Sequence, residues 1–137
     1  MSKTRQRGIT LMELLIVIVI IGLLASIAWP SYRQQVVRSN RTDAKVALEQ
    51  SRQGLERCFT RFNSYADGTG CELEFPFDVA SGNYTISVER DATTFTLTAT
   101  PQGGQAAQDA ECANFTLDER GQRGISGTGD AQRCWSR

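Results

Sequence analysis

No histidine occurs anywhere in this 137-residue chain. That removes the commonest general base and the commonest zinc-binding side chain. Lysine is almost as scarce, with Lys3 and Lys45 the only two, so a Ser–Lys dyad is poorly supplied. The four cysteines show no C-x-x-C spacing, which leaves a zinc site without its usual ligand pattern. With these parts missing, no catalytic residue, metal or cofactor is expected, and the chain reads as a non-enzyme. Charge gives no direction either. There are 15 basic and 15 acidic residues, so nothing in the balance draws the whole chain toward nucleic acid.

Charge is also missing locally. Residues 14–29 contain no Asp, Glu, Lys or Arg. With Leu11, Met12 and Glu13 this stretch approaches the roughly 20 residues that cross a bilayer as a helix. Before it stand Lys3, Arg5 and Arg7 and no acidic residue, so the N-terminus stays cytoplasmic and the rest is exported. Trp29 and Tyr32 suit the outer membrane–water interface, and Arg33 closes the apolar run. Such a head fits an ordinary secretory signal, for which Ser26-Ile27-Ala28 offers a small-x-small cleavage site. It also fits an uncleaved anchor. Glu13 argues for a third reading. A charged side chain at the bilayer centre costs about 2.5–3.5 kcal/mol on insertion scales, and less toward the edge. If the chain is cut after Gly8, the new amine of Ile9 lies one helical turn from Glu13 and supplies a counter-charge. The amine of a neighbouring copy would serve equally, which gives Glu13 an assembly role.

The string Gly8-Ile9-Thr10-Leu11-Met12-Glu13 and the apolar run behind it resemble the class III signal of type IV pilins. In that family a glycine precedes the cut, an apolar residue comes first in the mature chain and a glutamate fifth. The family usually begins with phenylalanine, where this chain has Ile9. The resemblance implies a leader of residues 1–8, cleavage between Gly8 and Ile9 by a prepilin peptidase/methyltransferase, and N-methylation of Ile9. It implies that residues 9–30 are both membrane span and polymerisation element, with Glu13 as the assembly contact. Removing residues 1–8 would leave 129 residues, with 12 basic against 15 acidic side chains.

Two residues weaken this helix. Pro30 lacks an N–H and clashes with the preceding turn, at about 3 kcal/mol, and Gly22 costs about 1 kcal/mol relative to alanine. Helical spacing resumes beyond Pro30, so a kink is expected there rather than an end. The resemblance implies that the stretch between Gly22 and Pro30 can melt in a fibre. Apolar and small residues then recur at Val36, Asn40, Ala44, Ala47/Leu48, Ser51, Leu55, Cys58/Phe59 and Phe62. The opposite face holds Arg38, Arg41, Asp43, Lys45, Glu49, Arg52, Glu56, Arg57 and Arg61, most of them read as solvated, with salt bridges between subunits of a fibre as the alternative and i,i+4 support from Lys45/Glu49 and Arg52/Glu56. A single helix over 10–62 would be about 80 Å long. So small a chain cannot cover such a helix itself, so its first half needs lipid or other copies around it.

Residues 63–81 are turn-rich, with Asp67-Gly68-Thr69-Gly70 and Pro76. Three strands follow from alternation: Tyr84-Thr85-Ile86-Ser87-Val88, Phe95-Thr96-Leu97-Thr98-Ala99-Thr100 and Phe115-Thr116-Leu117. Arg90-Asp91-Ala92-Thr93 is the hairpin between the first two. The expected fold class is α+β: a long N-terminal helix kinked near Pro30, packed on a small antiparallel sheet of three or four strands. Its globular part is residues 31–137.

An even count of cysteines behind a membrane-targeting head points to an oxidising compartment. Cys58, Cys71, Cys112 and Cys134 allow three pairings. The nearest-neighbour scheme, Cys58 with Cys71 and Cys112 with Cys134, closes two modest loops worth roughly 3 kcal/mol each. In pilins a C-terminal disulfide bounds the last strands, and the resemblance implies that role for Cys112 and Cys134. Arg120, Arg123, Arg133 and Arg137 gather there. They read as a solvated surface balanced by Asp118, Glu119 and Asp130, with a DNA contact as the functional alternative. Asn83 and Asn114 open N-x-T sequons that we treat as chance. Arg38-Ser39-Asn40-Arg41 and the ending resemble minor pilins most. The implied function is a structural subunit of a type IV pilus serving adhesion, twitching motility or DNA uptake. The implied partners are other pilin subunits, the inner membrane before assembly, and the pilus assembly machinery. A type II secretion pseudopilin and a membrane-tethered binding module are the alternatives.

Overall fold

The structure is a computed structural model that describes residues 8–68, 70–71 and 73–136. Lys3, Arg5, Arg7, Thr69 and Arg137 lie outside the described residues. Two compact units are distinguished, Met1–Gln35 and Val36–Arg137. One helix, α1 (Leu11–Phe62), contributes to both. It begins at Leu11 because Thr10 caps it: the Thr10 Oγ1 accepts from the Glu13 N–H at 3.2 Å. Thr10-x-x-Glu13 is the capping-box pattern, with the carboxylate at the third helical position. Pro30 lies inside α1 without ending it.

In the second unit α1 buries Ala44, Leu48, Ser51 and Leu55, at steps of four, three and four. These join one core with the inner face of a sheet. The strands are β1 (Phe77–Asp78), β2 (Tyr84–Arg90), β3 (Phe95–Pro101), β4 (Phe115–Asp118) and β5 (Arg123–Ile125), in the order β1-β2-β3-β4-β5, each antiparallel to the next. Register puts Ile86 opposite Ala99, Leu97 opposite Leu117 and Ala99 opposite Phe115. All five are fully buried. Thr96, Thr98 and Thr116 alternate onto the other face, which is the period-two division of a half-wet sheet. Asp91 closes the β2–β3 hairpin by accepting from the Thr93 and Thr94 N–H groups, both at 2.8 Å, an Asx turn. Two short helices complete the unit, α2 (Gly103–Gln108) and α3 (Ala131–Trp135).

The sheet has five strands where three or four were expected. The additions are edge strands of two and three residues, too short to display a period. Residues 63–81, expected to be loop throughout, contain β1. Two expected helix pairs are also different. Arg52 bonds Glu49 at 3.3 Å, one turn back, and Glu56 accepts from the Tyr65 hydroxyl at 3.2 Å. Lys45 turns away from Glu49 altogether, for a reason given below.

Candidate functional site

In the first unit, residues 8–35 are all exposed. Gly8 and Ile9 precede the helix, Glu13 sits in its first turn and Gly22 in its apolar part. Ile9, Leu11, Met12, Leu23, Leu24 and Ile27 are each at least 64 % exposed. Among the described residues this is the one helix long and apolar enough to cross a membrane. An apolar helix with no core of its own cannot remain in water. Its cover is lipid or another apolar helix, and its one carboxylate is placed at the end nearest the Gly8–Ile9 bond.

The second unit presents the C-terminal region on a polar frame that the sequence did not reveal. Asp109 follows α2 and its side chain is completely buried. Its carboxylate accepts from the Arg41 Nε at 2.9 Å and Nη2 at 2.7 Å, a two-pronged pair. The Tyr84 hydroxyl donates to it at 3.2 Å, the Gln105 Nε2 at 2.9 Å and the Cys112 N–H at 3.3 Å. The Gln105 Oε1 accepts from Asn40 at 2.9 Å, and the Asn40 Oδ1 accepts from Asn83 at 3.1 Å. Arg41 was expected on the solvated face of α1. Its hydrogen bond to Asp109 outweighs the burial cost and holds the guanidinium above its usual pKa. Burial likewise pushes the Tyr84 hydroxyl up. The partners are 25 and 68 residues apart from Asp109, so no local pattern signals them.

Cys112, which bonds Asp109 through its N–H, is joined to Cys134, and Cys58 to Cys71. Among the described residues no cluster of metal-binding side chains forms. Lys45 reaches the end of α3, donating to the carbonyls of Cys134, Trp135 and Ser136 at 3.3, 3.5 and 3.2 Å. The last carbonyls of a helix lack partners within it, and an ammonium group suits that negative end. Burial, then Arg41 and Arg123, lowers the Lys45 pKa. Arg123 donates to Glu49 at 2.9 Å and lies over the Trp135 ring at 5.0 Å. Burial would raise the Glu49 carboxyl, but the bonds from Arg123 and Arg52 more than offset it and hold it below its ordinary pKa. The Trp135 Nε1 donates to the Gly124 carbonyl at 3.0 Å. The last strand and helix are therefore fastened to α1 by Lys45 and Glu49, independently of the disulfide.

Three arginines of this region each meet a carboxylate: Arg120 with Glu119, Arg123 with Glu49 and Arg133 with Glu111. Asp118 and Asp130 spend their carboxylates on backbone N–H groups instead. Arg120 and Arg133 remain 72 % and 78 % exposed. Asn83 is committed to Asn40.

Residues 3–29 match a family model described as the prokaryotic N-terminal methylation motif. Residues 30–116 match one described as "Type IV minor pilin ComP, DNA uptake sequence receptor". Among characterised proteins, the type IV major pilin protein PilE1 of Neisseria gonorrhoeae is 29 % identical over 86 residues, 63 % of this chain and 40 % of its own length. The type IV major fimbrial protein FimA of Dichelobacter nodosus is 43 % identical over 56 residues, 41 % of this chain and 36 % of its own length. The matched part thus spans about two fifths of these relatives. A solved type IV pilin from Shewanella oneidensis is similar with a TM-score of 0.50 and 27 % identity, over 74 % of this chain and 99 % of that one.

Proposed function

This chain belongs to the type IV pilins, a family of structural subunits, and from that premise we propose that it is a minor pilin serving DNA uptake. The observation that carries the assembly part is the uncovered apolar stretch of residues 8–35, helical from Leu11, with Glu13 as its one carboxylate. The leader, residues 1–8, is removed between Gly8 and Ile9, and Ile9 is N-methylated. Residues 9–30 hold the subunit in the inner membrane as a single span with a cytoplasmic N-terminus, and pack against other pilins once the assembly machinery moves it into the fibre. The globular part, residues 31–137, is then displayed outside the cell. Protein recovered from sheared surface fibres is expected to begin at methylated Ile9. A start at Met1 or Trp29 would sink this reading.

The match of residues 30–116 to the minor-pilin model supports the DNA part. Arg120 and Arg133 suit a phosphate contact, because exposed ion pairs are worth only about 0–1 kcal/mol and phosphate can displace Glu119 and Glu111. Full-length protein in detergent should bind duplex DNA with a log affinity that falls linearly with log salt. R120Q/R133Q should flatten that slope by about 2, one unit per lost phosphate contact. Fluorescence anisotropy across a salt series reads both. An unchanged slope would remove these arginines from the interface, and no binding at low salt would remove DNA.

A further inference from the structure

The two disulfides have different surroundings. Cys112 and Cys134 are both fully buried. Cys71 is buried as well, but Cys58 is half-buried and lines a cleft of about 310 Å³. Gly54, Cys58 and Phe62 stand at i,i+4 spacing along one stripe of α1 and form its floor. The far wall is a loop, and two glycines let it come close. A Cβ on Gly54 would stand 3.1 Å from Leu73, and one on Gly70, whose φ is +96°, would stand 2.9 Å from the Phe62 ring.

Among the described residues that line this cleft, the charged ones are both basic. Arg57 and Arg61 also line it, one helical turn apart and both exposed. Neither forms an ion pair among the described residues. Behind the buried sulfur stands a third guanidinium. The Arg90 side chain is 6 % exposed, and its Nη1 donates to the Cys71 Sγ at 3.7 Å. Its Nη2 pairs with Asp67, and its Nε has no partner among the described residues.

We propose that Cys58 is a thiol–disulfide exchange site selective for anionic thiols, reached through this cleft. The incoming thiolate attacks the Cys58 Sγ and forms a mixed disulfide. The Cys58–Cys71 bond breaks, and its electron pair leaves on the Cys71 Sγ as a thiolate beside Arg90. One S–S bond is made as one is broken, so no oxidant is needed. The Cys71 thiolate can attack Cys58 again and expel the thiol, or a second thiol can complete the reduction and release the adduct. Direction of cleavage follows from the leaving group, since a sulfur whose thiolate is stabilised departs faster, and an adjacent arginine stabilises a thiolate. Selectivity follows from Arg57 and Arg61, which raise the local concentration of anions in a cleft.

The test uses the full-length protein in detergent with three thiols at matched thiolate concentration: glutathione (doubly anionic as the thiolate), 2-mercaptoethanol (singly anionic) and cysteamine (zwitterionic). Acid-quenched samples are mapped by mass spectrometry. The adduct is expected on Cys58, with Cys112–Cys134 intact, and glutathione is expected to react about 10-fold faster than cysteamine. R57Q/R61Q should erase that preference, slowing glutathione most and 2-mercaptoethanol less and leaving cysteamine unchanged; both side chains are exposed, so the variant should fold. R90Q should slow all three thiols alike. An adduct on Cys71, earlier opening of Cys112–Cys134, equal rates for the three thiols, or a preference that survives R57Q/R61Q would each overturn the proposal. If R90Q does not fold, the other arms still decide.

Discussion

Glu13→Gln is expected to remove the protein from surface fibres while it is still cleaved to Ile9 and held in the membrane. Two roles meet in this residue and must be separated. In the isolated chain, Glu13 occupies the third position of a capping box whose Thr10 accepts from its N–H at 3.2 Å. A glutamate there suits the positive end of a helix, and that role alone needs no second subunit. Glutamine also serves at this position of the box, so Glu13→Gln keeps the helix start and removes only the charge. In the proposed fibre the carboxylate would be enclosed by apolar helices, where it requires a partner, and the amine of Ile9 on a neighbouring copy would be the cation supplied. Removing one member leaves the other unpaired in an apolar setting. A loss of about 2–3 kcal/mol per subunit contact, the scale of an uncompensated charge in a bilayer, is roughly a 30- to 150-fold loss of association. Immunoblots of sheared fibres against membrane fractions read the ratio. Thr10→Ala is the control, since it removes the cap at about 1 kcal/mol and leaves the charge. Fibres carrying E13Q at the normal level would reduce Glu13 to a capping residue.

What was legible in the sequence was whatever repeats. The helix expected over 10–62 is found as Leu11–Phe62, because its apolar spacing persists over many turns. The three alternating stretches are strands β2, β3 and β4. The elements missed are those too short to repeat. β1 and β5 have two and three residues, and α2 and α3 have six and five. The spacing that placed Ala44, Leu48 and Leu55 inward also set Arg41, Lys45 and Glu49 outward as solvated charges. The structure turns all three toward distant partners while leaving them partly exposed. Each lies at the margin of the buried stripe, where a long side chain can turn toward a partner from far along the chain. Arg41 finds Asp109, Lys45 finds the carbonyls ending α3, and Glu49 finds Arg123. Hydropathy spacing identifies a face but carries no information about such partners. The only sequence sign was excess: Arg41 and Asp109 are polar residues beside segments that otherwise bury small and apolar ones.

Asp109→Ala is expected to be the most damaging single substitution in the globular unit. The carboxylate is completely buried and receives five hydrogen bonds, two of them from the Arg41 guanidinium. Truncation leaves Arg41, itself only 17 % exposed, with only the longer 3.7 Å pairing to the half-exposed Glu111. Breaking a buried pair in this way costs about 3–5 kcal/mol. That is a large share of the 5–15 kcal/mol by which a domain is ordinarily stable. With a shift of about 4–8 °C per kcal/mol in a domain of roughly 100 residues, the melting temperature should fall by ~12 °C or more. The damage should also be directed. The Cys112 N–H and the Gln105 side chain lose an acceptor, so the start of the disulfide-bounded region should loosen before the β2–β3 hairpin does. A second variant separates the value of the pair from the cost of breaking it. In Arg41→Met with Asp109→Leu both charges are gone and apolar volume replaces them, a change that is often neutral or stabilising. Tyr84, Gln105 and Cys112 still lose their acceptor in it, but its loss should be smaller than the sum of Asp109→Ala and Arg41→Ala, as expected for residues in direct contact. Thermal unfolding followed by near-ultraviolet circular dichroism measures all four proteins. If Asp109→Ala melts within about 3 °C of the wild type, the pair contributes little to holding the C-terminal region on α1, and the fastening by Lys45 and Glu49 is sufficient by itself.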